Sequence, residues 1–146
     1  MFRCVVISVL IFTAVGVISQ KTQQDALSAS NAKFALDLYK RQAVSKGENI
    51  FMSPLSISVA LAMTYLGARG QTKSQMSNVL HFSDVEENHL HQTFADIQSA
   101  LNKPGQACKL YMANRLFGRK SYKFLQAFLE AGQQYYGAEL KPVDFR

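Results

Sequence analysis

The stretch from Glu48 to Leu80, ENIFMSPLSISVALAMTYLGARGQTKSQMSNVL, restricts the possible folds more than any other. Asn49-Ile50-Phe51-Met52 is short, apolar and strand-like, and Ser53-Pro54 stops it. Proline has no N–H to lose in a first helical turn, and its fixed φ suits that position. A serine just before it can cap the free N–H groups that follow. Leu55 to Leu66 is apolar on nearly every face, with only small hydroxyls among its polar residues, which predicts a buried helix. Gly67 and Gly70 are expected to end it, because glycine takes the left-handed terminal conformation at least cost. Thr72-Lys73-Ser74-Gln75 reads as a capping box opening a further helix, striped by Met76, Val79 and Leu80. The order is strand, buried helix, glycine elbow and amphipathic helix. It is a packing unit without chemistry.

The remaining periodicities extend this pattern. Ser30-Asn31 can cap a helix to about Ala43, with Phe34, Ala35, Leu38 and Gln42 on one face and Lys33, Lys40 and Arg41 outward. Ser45-Lys46-Gly47 is a turn, and His81 to Asp84 a loop. Glu86 and Glu87 fit a helix N-terminus, and Leu90, Phe94, Ile97 and Leu101 give that helix one apolar face. Asn102-Lys103-Pro104-Gly105 ends it. Lys109 to Phe117 alternates like a strand with apolar groups on both faces, so cover on both sides is expected. Gly118 to Lys120 is a turn. A helix striped by Phe124, Leu125, Phe128, Leu129 and Tyr136 ends at Gly137. Ala138 to Phe145 is a second strand, and Pro142 assigns it to a sheet edge.

The first nineteen residues read as an address rather than as fold. Arg3 precedes an apolar run from Cys4 to Ile18, and the small Val17 and Ser19 suit cleavage after Ser19. The run is short for a membrane span. Residues 1–19 are therefore expected to be a secretory signal, with an uncleaved anchor as the alternative, 20–29 a flexible segment and 30–146 the folded part. The product is expected in the extracellular space, with no membrane contact after cleavage. Removal of Cys4 with the signal leaves Cys108 alone, free to pair with another chain or to stay buried and inert, the latter favoured. The net charge of +6 is scattered, so it names no partner by itself.

Asn49 to Met76 contains N-I-F-x-S-P-x-S-I-x-x-A-L-A-M-x-x-L-G-A-x-G-x-T-x-x-Q-M, and this segment closely resembles the serpin family. Asn31-x-x-Phe34-Ala35-x-x-Leu38 is similar to the family's first helix. Ala113 to Phe117 is similar to the second strand of its large sheet, Phe124 to Gly137 to the helix that follows, and Ala138 to Phe145 to that sheet's first strand. The resemblance implies an α+β fold: helices packed on two outer strands of an incomplete large sheet, plus one short strand of a second sheet. It also implies a secreted inhibitor of serine proteases, in which a cleaved reactive loop inserts into the large sheet and traps the protease. The loop and the strands that receive it belong to the part of the family beyond the residues matched here. A partial serpin inactive alone is therefore expected, a fragment or incomplete gene product of low solubility. The alternatives are part of a non-inhibitory carrier or chaperone, or a truncated product without activity. Ser53 and Ser56 match hydroxyls of the family's shutter, beneath the opening sheet. Simple capping and a helix hydroxyl facing the core are the plainer assignment.

Other candidate chemistry is sparse. His89 and His91 lie two apart on a helix and point to different sides, so they do not chelate jointly. His81 has no cysteine or carboxylate at ligand spacing. No G-x-S-x-G supports a hydrolase, and no glycine loop supports a phosphate site. No catalytic residue, metal or cofactor is expected. Arg115, Arg119, Lys120 and Lys123, with Tyr122 and Phe124, are the densest basic group. A solvated turn is the stronger reading; weak contact with glycosaminoglycans is the alternative, and nucleic acid is not expected.

Overall fold

The computed structural model describes residues 2–43, 49–103 and 112–145. The elements are α1 (Phe2–Gln42), α2 (Pro54–Gly67), α3 (Gly70–Val79), a 3-10 turn (Phe82–Asp84), α4 (Glu87–Leu101), β1 (Leu116–Arg119), α5 (Gln126–Tyr136) and β2 (Leu140–Val143). The two strands pair in parallel, with Leu116 opposite Leu140 and Gly118 opposite Pro142. Pro142 thus lies on an edge strand, where its missing N–H costs no ladder bond. Among the described residues, no helix is long and apolar enough to cross a membrane.

The core lies where α1, α2, α4 and the 3-10 turn meet. Leu27 and Phe34 come from α1, Val59, Ala62, Met63 and Tyr65 from α2, Leu90 and Phe94 from α4, and Leu80, Phe82 and Val85 from the turn region. Phe82 meets Tyr65 edge-on at 5.4 Å and Phe94 edge-on at 5.8 Å. The Leu90–Phe94–Ile97 stripe is therefore oriented as its spacing predicts, with Leu90 and Phe94 fully buried. Tyr136 and Ala138 bring the α5 end of the chain onto the same cluster.

Two glycines permit this docking by having no side chain. A Cβ on Gly67 would lie 3.2 Å from Phe128, and one on Gly118 would lie 2.5 Å from Phe124. Gly137 closes α5 in the left-handed conformation (φ 59°), as expected.

Several expectations are corrected. Residues 20–29, expected to be flexible, are helical, with Leu27 buried. Ser30 does not cap a helix: it is buried within α1, and its hydroxyl donates to the Ala26 carbonyl at 3.0 Å. Gly67 is still helical, and α2 ends at Ala68 in an extended conformation. The left-handed residue is Gly70 (φ 57°), which opens α3, so Thr72 to Gln75 lie inside that helix and do not box its start. Residues 49–53 have no regular secondary structure, so the short strand of a second sheet is not formed. A strand requires a paired neighbour, and none lies beside them among the described residues. Arg119 belongs to β1 rather than to a turn, and Phe117 is exposed, so β1 is not covered on both faces. α2 is buried along Ser58, Val59, Ala62, Met63 and Tyr65 only, while Ser56, Ile57, Ala60 and Thr64 face outward. The Ser45–Gly47 turn, Cys108 and the expected strand residues 109–111 lie outside the described residues.

Candidate functional site

Ser53 and Ser56 stand together at the start of α2. Ser53 is the N-terminal flanking residue in an extended conformation, and Pro54 occupies the first turn. The Ser53 hydroxyl does not bond a helix N–H; it lies 2.8 Å from the Ser56 hydroxyl, and both side chains are exposed. Serine at both positions is thus used for a mutual hydroxyl contact, with further hydrogen-bonding capacity facing outward. Beside this pair, Leu38, Gln42, Asn49, Ile50, Phe51, Met52 and Ile57 line a groove of about 370 Å³. Phe51 is wholly exposed, at 103%. Hydroxyls without a base can accept and donate hydrogen bonds, but they are not an activated nucleophile. Among the described residues, no histidine or carboxylate is hydrogen-bonded to either serine.

The basic group is spread along an exposed rim. Arg115 precedes β1, Arg119 ends it, and Lys120 and Lys123 follow, all exposed. The Lys120 N–H donates to the Val143 carbonyl at 3.0 Å, which fixes the turn to the end of β2. Lys141 pairs in register with Phe117, adding a cation that sequence spacing alone did not group with the others. None of the ion pairs among the described residues involves these side chains. They remain hydrated, and their attraction for anions is screened by salt.

The three histidines separate into three environments. His89 Nδ1 lies 3.0 Å from Glu86 on the surface. His81, left-handed at φ 55°, has Nε2 2.8 Å from Asp37 of α1. Its hydrogen bond is the main reason the Asp37 carboxyl is held below the usual carboxylate range. That partner is 44 residues away, which is why spacing along the chain showed none. His91 is half-buried, with Nδ1 2.6 Å from the Tyr136 hydroxyl. Its place beside the Leu90–Phe94 stripe is the signal of this that the sequence carries. Among the described residues no group of three His, Cys, Asp or Glu is arranged to hold a metal.

Surface pairs join the α1–α4 side. Lys33 contacts Asp84 at 2.8 Å, and Lys73 pairs with Glu87. Both carboxyls are lowered, chiefly by these lysine hydrogen bonds. The Gln20 amide donates to Asp96 at 2.8 Å, and the Glu86 N–H donates to the Gln23 side chain at 3.2 Å. Residues just past Ser19 are therefore docked on α4.

Comparison with known proteins gives these features a setting. Residues 29–146 match the sequence model of a family described as Serpin (serine protease inhibitor). The leukocyte elastase inhibitor of pig (Sus scrofa) is 50% identical over 122 residues, covering 83% of this chain and 32% of its own length. The human (Homo sapiens) leukocyte elastase inhibitor is 46% identical over 125 residues, covering 84% and 32%. The solved structure of ovalbumin from emu (Dromaius novaehollandiae) superposes with a TM-score of 0.76 at 32% identity, covering 81% of this chain and 34% of that one. The chain spans about one third of the length of the relatives it matches.

Proposed function

The chain belongs to the serpin family, and from that premise we propose that it is the N-terminal portion of a secreted serine protease inhibitor, inactive by itself. One observation carries this reading. The match to relatives named leukocyte elastase inhibitor covers 83–84% of this chain but only 32% of theirs. In the family, inhibition depends on a reactive loop that inserts into the large sheet. The proposal assigns that loop, and the strands that admit it, to residues beyond those matched here. The outward face of α2, with Ser53, Ser56 and Ile57, and the edges of the two-stranded sheet are then surfaces for the rest of the domain. The serine pair, already 2.8 Å apart, becomes part of the shutter when that remainder supplies further partners.

Residues 1–19 are proposed as the secretory signal. Cleavage after Ser19 keeps Gln20, Gln23 and Leu27, the residues that dock on α4 and the core. N-terminal sequencing of the secreted product is expected to begin at Gln20; an uncleaved Met1 terminus overturns this part.

The inhibitory reading is tested by incubating the chain with leukocyte elastase and with trypsin-like and chymotrypsin-like enzymes, followed by denaturing gels. The expected result is no heat-resistant covalent adduct from residues 20–146, and an adduct from a transcript extended past Arg146. An adduct from the chain alone contradicts the assigned division of labour. An extended product that lacks the adduct contradicts inhibition.

A further inference from the structure

His91 is the point at which three helices touch through one ring. From α4 it meets Tyr65 of α2 at 6.1 Å and Tyr135 and Tyr136 of α5 at 5.9 Å each, centroid to centroid. Tyr136 in turn lies 6.2 Å from Phe94 in the core. The 2.6 Å contact from His91 Nδ1 to the Tyr136 hydroxyl is the polar link within this cage. Lys73 of α3 approaches from one side, 5.4 Å from the centre of the Tyr65 ring and paired with Glu87, which stands one turn before His91 on α4. The titratable and charged groups facing the imidazole are therefore Tyr65, Lys73, Glu87, Tyr135 and Tyr136.

This environment disfavours an imidazolium. Burial comes first and Lys73 second, and Glu87 only partly offsets them, so the His91 pKa is pulled down to about 4. Burial holds the Tyr136 hydroxyl above the ordinary tyrosine range, so it keeps its proton. With neutral histidine, the Tyr136 O–H can donate to an unprotonated Nδ1, leaving the proton on Nε2. With protonated histidine, Nδ1 becomes a donor, and the Tyr136 hydrogen must turn away and lose this acceptor.

We propose that the His91–Tyr136 pair is an acid-sensitive clasp fastening α5, and with it the two-stranded sheet, to α4 and α2. The sign follows from linkage. The folded-state pKa lies below the unfolded value, so the contribution is full above about pH 6.5, declines as pH falls toward 4, and is exhausted below that.

The test is an NMR titration of the histidine ring protons in the full chain at low concentration, with the His91 signal assigned by its absence from His91→Gln. The expected midpoint is near pH 4; a midpoint at or above about 6.5 overturns the proposal. In urea unfolding, the folding constant is expected to fall at least about tenfold more between pH 7 and 5 in the native chain than in His91→Gln. Equal slopes overturn the proposal. Tyr136→Phe retains the ring and loses the hydroxyl. Hydrogen exchange of α5 amides should accelerate in it at pH 7, and unchanged exchange also counts against the clasp. If His91→Gln does not fold, through-bond assignment in the native chain supplies the decisive titration.

Discussion

The two sides of this molecule differ in how completely they bury what they carry. Around α4, Leu90 and Phe94 join residues of α1, α2 and the 3-10 turn in one core, and Phe94 is 0% exposed. Around the start of α2 and the two-stranded sheet, large apolar groups face outward: Phe51, Phe117, and Leu125 at 78% exposure. The first side is a closed core in which α1, α2 and α4 meet. Among the described residues, the second has apolar groups of an interior kind left uncovered, and a sheet of two strands only. Membership of a family whose matched relatives are about three times longer gives that contrast a direct meaning. The closed side packs on itself; on the proposed reading, the open side is where the remainder of a serpin domain would pack.

Substitutions on the two sides should separate sharply. The largest effect is expected for Phe94→Ala, which empties the centre of the closed side. It should cost about 3–5 kcal/mol, read from the shift of the urea transition at low concentration. A loss below about 1 kcal/mol breaks the comparison, because Phe94 would then not be central.

Gly118→Ala probes the packing of the two-stranded sheet against Phe124. Its Cβ would enter the ring of Phe124 and approach Leu140 at 3.0 Å, so Phe124 must move. An overpacking cost of about 1–3 kcal/mol is expected, with faster exchange in β1 and β2.

Ser58→Ala should act in the opposite direction. Ser58 is 0% exposed, and its hydroxyl has no hydrogen-bond partner among the described residues. Its removal is expected to raise stability by about 1 kcal/mol, read as a higher urea midpoint.

Acidification should loosen the surface pairs of the closed side by a smaller amount. Asp37, Asp84 and Glu87 are all lowered by His81, Lys33 and Lys73 respectively. Depressed carboxylates contribute stability above their unfolded pKa and lose it as pH falls below about 4. Added salt should reduce this contribution, checked by urea midpoints at low and high ionic strength.

The smallest stability change belongs to the open side. Phe51→Ser with Leu125→Ser should shift the urea midpoint by no more than about 0.5 kcal/mol. It should also raise the monomer fraction in sedimentation. A large destabilisation would show that these residues already belong to a core.

Several helix starts, faces and ends were legible because their signals are local. Ser53-Pro54 marks a helix start, the Leu90–Phe94–Ile97 spacing marks a buried face, and Gly137 marks an end, each through the backbone preferences of a few residues. The misread points are those where a local preference has two solutions. Ser30 can cap a helix or bond back to a carbonyl, and the buried Leu27 selected the second. Thr72 and Gln75 match a capping box, yet Gly70 takes the positive φ that starts α3 two residues earlier. The candidate site was legible only as composition. Ser53 and Ser56 were recognisable, but their mutual contact is a matter of geometry. The links from His81 to Asp37 and from His91 to Tyr136 join residues 44 and 45 positions apart. No periodicity encodes such pairs, because they arise only when separate helices pack.

Hydrogen exchange of the isolated chain, resolved by residue, measures the contrast between the two sides most directly. The account predicts slow exchange for amides of α4 from Leu90 to Gln98. It predicts exchange near the unprotected rate for residues 49–53, and only weak protection for β1 and β2. Equal protection across both sides, in a chain shown to be monomeric, would mean that the sheet and the start of α2 need no further layer, and would contradict the account.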